Sequence, residues 1–74
     1  MSDLLTRITI EADKCGGRPC IRGLRMRVSD VLGMLAAGES AASILEHHPD
    51  LEPDDILACL AYAAREVDQA VIAA

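Results

Sequence analysis

The chain has 74 residues, a net charge of −5, one Tyr and neither Phe nor Trp. That length holds one domain and excludes two, and a chain so short buries only ~60% of the surface its unfolded form exposes. No apolar run approaches the roughly 18 residues of a membrane span. The start after Met1 is polar and mixed in charge, unlike a secretory leader, so a cytoplasmic protein without membrane contact is expected.

The net charge hides two opposed halves. Residues 1–28 carry six cations (Arg7, Lys14, Arg18, Arg22, Arg25, Arg27) against Asp3, Glu11 and Asp13, a net +3. Residues 29–74 carry Arg65 against nine carboxylates, a net −8. Such asymmetry points to distinct partners for the two ends, with solubility as the simpler alternative. The core must be built from Leu, Ile, Val, Met and Ala, each burying less area than an aromatic ring, so a homodimer is expected to supply further burial.

In chain order, Ile8 and Ile10 alternate with Arg7, Thr9 and Glu11, which predicts a half-buried strand over 7–11. Gly16, Gly17 and Pro19 mark a turn. A second extended piece is predicted over 20–28, with Leu24, Met26 and Val28 inward, Arg25 and Arg27 on the other edge, and a bulge or close approach at Gly23. Ser29 is positioned to cap a first helix with Val31, Leu32 and Leu35 on one stripe and a left-handed cap at Gly38. Ser40 caps a second, with Ile44 and Leu45 inward and Pro49 closing it after His47 and His48. A third, longest helix opens at Pro53, with Asp54 and Asp55 complementing its dipole and Ile56, Leu60, Ala63, Val67 and Val71 forming its face. Leu57, Cys59 and Tyr62 widen that face, as in a helix central to its fold or packed on a partner.

Two short helices and a longer third match the plan of helix-turn-helix domains. The chain thus reads as one mostly helical domain over 1–74: an extended Arg-rich segment 1–28 and a trihelical core 29–74. Cys15, Cys20 and Cys59 are an odd set without a secretory leader and read as reduced thiols. A zinc site joining Cys15 and Cys20 to His47 and His48 is disfavoured, because adjacent histidines do not easily face one ion. No metal, cofactor or catalytic set is therefore expected, and His47 and His48 read as carbonyl caps or solvent-facing groups.

The most specific feature is the string Gly17-Arg18-Pro19-Cys20-Ile21-Arg22-Gly23-Leu24-Arg25-Met26-Arg27-Val28. It resembles the signature of the family called domain of unknown function 433, roughly Gly-Lys-Pro-Val-Ile-Lys-Gly-Thr-Arg-Ile-Pro-Val. The likeness continues in Leu35-Ala36-Ala37-Gly38, His48-Pro49-Asp50-Leu51 and Ala58-Cys59-Leu60-Ala61-Tyr62-Ala63, in order, from about Arg7 to Ala64. The resemblance implies a homeodomain-like trihelical core behind short extended segments. It also implies an antitoxin role beside a nuclease-like toxin of the PIN type. Leu24 stands where the family has Thr, and Arg27 where it has Pro, which restores a backbone donor and adds a charge.

Two surfaces are candidates. Arg18, Arg22, Arg25 and Arg27 could hold operator DNA or form a dimer contact, unless they pair with the chain's own carboxylates such as Asp30 and Glu39. Glu52, Asp54 and Asp55 make the leading turn of the third helix a poor DNA reader, but could cover the basic active site of a toxin. The alternative is a protein-interaction domain that binds no nucleic acid.

Overall fold

The computed structural model describes residues 4–70, and the side chains of residues 4–68. The elements in order are a 3-10 turn (Leu4–Arg7), β1 (Ile8–Thr9), a 3-10 turn (Cys15–Gly17), β2 (Cys20–Ile21), α1 (Val28–Ala36), α2 (Ala41–His47) and α3 (Pro53–Ala70). The architecture is mostly helical, with a two-stranded sheet before three helices. No helix among the described residues is long and apolar enough to cross a membrane.

β1 and β2 pair antiparallel, Ile8 opposite Ile21 and Thr9 opposite Cys20. Both are shorter than the alternation predicted. After Thr9 the chain turns, with the Lys14 N–H on the Glu11 carbonyl at 3.0 Å, and Ile10 is left 61% exposed instead of sharing the face of Ile8. The stretch 20–28 is likewise not one strand. A tight turn over Ile21–Leu24 reverses it, closed by the Leu24 N–H on the Ile21 carbonyl at 2.7 Å. Both central residues have positive φ, 46° at Arg22 and 70° at Gly23, the geometry of a mirror-image hairpin turn that glycine adopts at no cost. The returning arm bonds back through Ile21 N–H to Met26 C=O and Val28 N–H to Pro19 C=O, each at 3.0 Å. The inward side chains nonetheless alternate as predicted: Leu24 and Met26 half-buried, Val28 buried, Arg25 exposed.

α1 starts at Val28, one residue before the predicted cap at Ser29. Arg27 is the capping residue, and its N–H donates to the Asp30 carboxylate at 3.3 Å. Asp30 thus satisfies a donor that the first turn would leave bare and sits at the positive end of the helix dipole. At the other end Gly38 takes φ 97°, with Glu39 N–H on Met34 C=O and Gly38 N–H on Leu35 C=O, both 3.0 Å, which is a Schellman cap. Ser40 caps α2 as expected, its hydroxyl accepting from the Ser43 N–H at 3.1 Å. His47 Nδ1 lies 2.9 Å from the Ser43 carbonyl, at the helix end where free carbonyls collect.

The core gathers Ile21, Val28, Val31, Ile44, Leu51, Ile56 and Cys59, so the hairpin and all three helices share it. The face α3 turns inward differs from the predicted one. Asp55, Ile56, Ala58 and Cys59 are buried and Tyr62 packs against the core, whereas Leu60 is 45% and Val67 66% exposed. Val71 lies outside the described residues. The inward side of α3 faces the first 3-10 turn and the hairpin, which present it with the guanidiniums of Arg7 and Arg22.

Candidate functional site

The hairpin turn and the start of α3 meet at Asp55. Its side chain is fully buried although it is charged. Because Pro53 opens α3, Asp55 occupies the third helical position, and its Oδ2 accepts the Glu52 N–H at 2.8 Å. Arg22 reaches the same carboxylate with Nε 3.0 Å from Oδ1 and Nη2 2.8 Å from Oδ2, a two-pronged contact that fixes direction as well as distance. Arg7 adds Nη1 to Oδ1 at 3.0 Å. Every oxygen of the buried carboxylate is thereby engaged.

The two arginines extend the network. Arg22 Nη2 also donates to the Asp50 carbonyl at 2.8 Å, tying the loop before α3 to the hairpin. Arg7 Nη1 lies 2.8 Å from Glu52 Oε1, and Nη2 3.7 Å from Asp54 Oδ2. Burial alone would push the Asp55 carboxyl up. The hydrogen bonds from Arg22, the Glu52 N–H and Arg7 outweigh it and hold the group below the usual carboxylate range. The same contacts raise both guanidiniums above their ordinary value, through Glu52 first for Arg7 and through Asp55 first for Arg22. The left-handed backbone at Arg22 costs about 1–2 kcal/mol. It is the conformation that aims the side chain at α3, and three charge-assisted hydrogen bonds offset it.

The seven predicted site residues fall into four groups. Arg22 and Asp55 form one ion pair, which the chain's sequence had placed on separate surfaces. Arg27 is held by its own helix, Nη2 3.1 Å and Nε 3.2 Å from Asp30, so the charge that replaces the family's proline serves the cap. Glu52 and Asp54 stay more than half exposed beside Arg7. Arg18 and Arg25 make no ion pair or side-chain hydrogen bond among the described residues, and they do not sit together. Arg25 lines a cavity of about 400 Å³ with Leu24, Met26, His47 and His48. Arg18 lines another of about 320 Å³ with Leu32, Tyr62 and Glu66. Arg7 was missed as a functional residue because in a strand it reads only as the polar member of an alternation. The visible hint for Asp55 was its place three residues after a possible cap.

Cys20 and Cys59 are chemically quiet. Burial, and then the neighbouring Cys15 thiol, pushes Cys20 up to about 11, and burial with the Asp55 charge pushes Cys59 up to about 11. Among the described residues no three His, Cys, Asp or Glu side chains cluster as a metal ion would need.

The motif string has a structural meaning in this geometry. It forms the hairpin and delivers Arg22 to Asp55, while the same guanidinium reaches the block His48–Leu51 through the Asp50 carbonyl. Residues 8–63 match the model of a family described as "Protein of unknown function (DUF433)". The chain belongs to the DUF433 family. A DUF433 member protein from Anabaena variabilis has a similar crystal structure, with a TM-score of 0.79 and 27% identity over 85% of this chain and 62% of that one. The uncharacterized protein y4eO of Sinorhizobium fredii is 39% identical over 56 residues. That match takes in 76% of this chain and 25% of y4eO, so this DUF433 chain spans a quarter of that relative's length.

Proposed function

We propose that the chain is an antitoxin-type protein that neutralises a PIN-like nuclease through an acidic surface. The reading draws on the family resemblance and on one observation: apart from the buried Asp55, the carboxylates around the end of α2 and the start of α3 stay exposed, while half of the candidate DNA-binding arginines are engaged internally. Glu46, Asp50, Glu52 and Asp54 are all exposed around the end of α2 and the start of α3. A nuclease holds RNA with cations, and a surface of this sign complements them and speeds encounter.

Operator DNA is the less supported partner. A homeodomain-like helix-turn-helix reads bases with the leading turn of its last helix. Here that turn exposes Glu52 and Asp54, which phosphates repel. Arg18 and Arg25 would have to hold the duplex from separate cavities.

Glu46→Lys combined with Asp54→Lys tests the proposal, since neither residue bonds to Asp55. Affinity for a PIN-type nuclease encoded by an adjacent reading frame should fall at least about tenfold, with loss of nuclease inhibition. Unchanged inhibition overturns the acidic-surface reading. In a gel-shift assay at low salt, Arg18→Glu with Arg25→Glu should leave any operator binding unchanged; its abolition would restore the DNA reading.

A further inference from the structure

α3 carries two apolar faces, and among the described residues only one is covered. Asp55, Cys59 and Tyr62 turn inward, whereas Leu57, Leu60 and Val67 stand on the outward side at 51%, 45% and 66% exposure. Ala64 lies between them, also exposed. A helix of 18 residues is about 27 Å long, so this stripe runs over most of its length. Beside it lies a groove of about 320 Å³ whose walls include Pro19, Leu32, Tyr62 and Val67, with Arg18 and Glu66 among its lining.

The charges at this groove are complementary and, among the described residues, at most loosely engaged. Arg18 has no ion pair among the described residues. Glu66 meets its neighbour Arg65 at 3.5 Å, and both side chains are nearly half exposed, a contact of little worth. Arg65 is in addition drawn over the Tyr62 ring, 5.2 Å from its centroid.

We infer that the outward face of α3 and its adjoining groove dock a second copy of this chain across a two-fold axis, with Arg18 of each copy facing Glu66 of the other. Two-fold symmetry brings identical patches together, so an apolar stripe flanked by one free cation and one loosely held anion satisfies both pairs at once. A standard interface covers about 800 Å² per partner, roughly a sixth of the 4780 Å² this chain exposes. A chain without Phe or Trp, whose core cluster among the described residues holds seven buried apolar side chains, gains from that burial. A basic nuclease is a poor occupant, because the stripe is apolar and four exposed acids, Glu46, Asp50, Glu52 and Asp54, lie instead around the end of α2 and the start of α3. The dimer is independent of the neutralising function.

Sedimentation equilibrium of the full chain from about 5 to 200 µM tests this. The wild type should weigh twice 7.9 kDa at the upper end. Leu60→Glu with Val67→Glu should weigh 7.9 kDa throughout while keeping its helical circular dichroism. Arg18→Glu should weaken association about tenfold, and Arg18→Glu with Glu66→Arg should restore it. The swap keeps the question decidable even if the double Glu variant unfolds. A wild type that stays monomeric at 200 µM, a dimer indifferent to the apolar substitutions, or a swap that fails to rescue would each overturn the assignment.

Discussion

The two ends of α3 are held by different physics. At its start a buried carboxylate is fixed by two arginines, a backbone N–H and the loop they anchor, so position is set by direction as much as by area. Towards its end the helix turns apolar side chains outward, and burial is non-directional. The first end therefore specifies one arrangement of hairpin and helix, and breaking it strands a charge. The second end leaves a surface that a partner can cover, and altering it changes association more than folding.

The largest effect expected is from Asp55→Ala, which orphans two guanidiniums and the Glu52 N–H. Removing one member of a buried pair typically costs about 3–5 kcal/mol, and urea unfolding should find a loss near the lower figure because Arg7 and Arg22 remain partly solvated. A loss below about 1 kcal/mol would mean that the ion pair does not set the position of α3. Next comes the pH dependence. The folded Asp55 titrates below its unfolded value of about 3.9, so its stabilisation is complete above that value and lost as pH falls through the lower, folded one. The stability gap between wild type and Asp55→Asn should accordingly stay constant above about pH 5 and shrink as pH falls below the unfolded value of about 3.9. A gap that holds its size in acid would assign the contact no charge dependence.

Smaller effects mark the parts away from the lock. Gly38→Ala forces a side chain into φ 97° and should cost about 1 kcal/mol in thermal or urea unfolding, although the space around it is open. Leu60→Ala should change the stability of the dilute monomer by less than about 0.5 kcal/mol, against several-fold weaker self-association. Last, a thiol reagent at pH 7 should label the half-buried Cys15 first and reach Cys20 and Cys59 only on unfolding, since burial keeps both protonated.

Local chemistry made much of the fold readable. Ser40, Gly38, Pro49 and Pro53 act on their neighbours' backbone groups, and each marks the helix end it was expected to mark. The cap at Ser29 was misplaced by two residues because Asp30 recruits the Arg27 N–H and Val28 is drawn into the core. The long strand over 20–28 failed for a comparable reason: the alternation of burial survives a hairpin whose two arms both face the core, so the pattern did not reveal the turn. At the candidate site, Glu52 and Asp54 were found as surface acids, whereas the partnership of Arg22 with Asp55 spans 33 residues and left no periodic trace.

The amino-acid order by itself determined the three helices, the caps at Gly38 and Ser40, the contrast of charge between the halves and the family, because each of these rests on contacts between near neighbours or on a contiguous string. Only the tertiary structure decided which side of α3 faces inward. Apolar residues lie on both sides of that helix, Ile56 and Cys59 inward and Leu57, Leu60 and Val67 outward, and the burial of Asp55 against Arg7 and Arg22 accompanies the inward choice, since a charge-assisted network of fixed direction selects the rotation of a helix in a way that apolar area, indifferent to direction, does not.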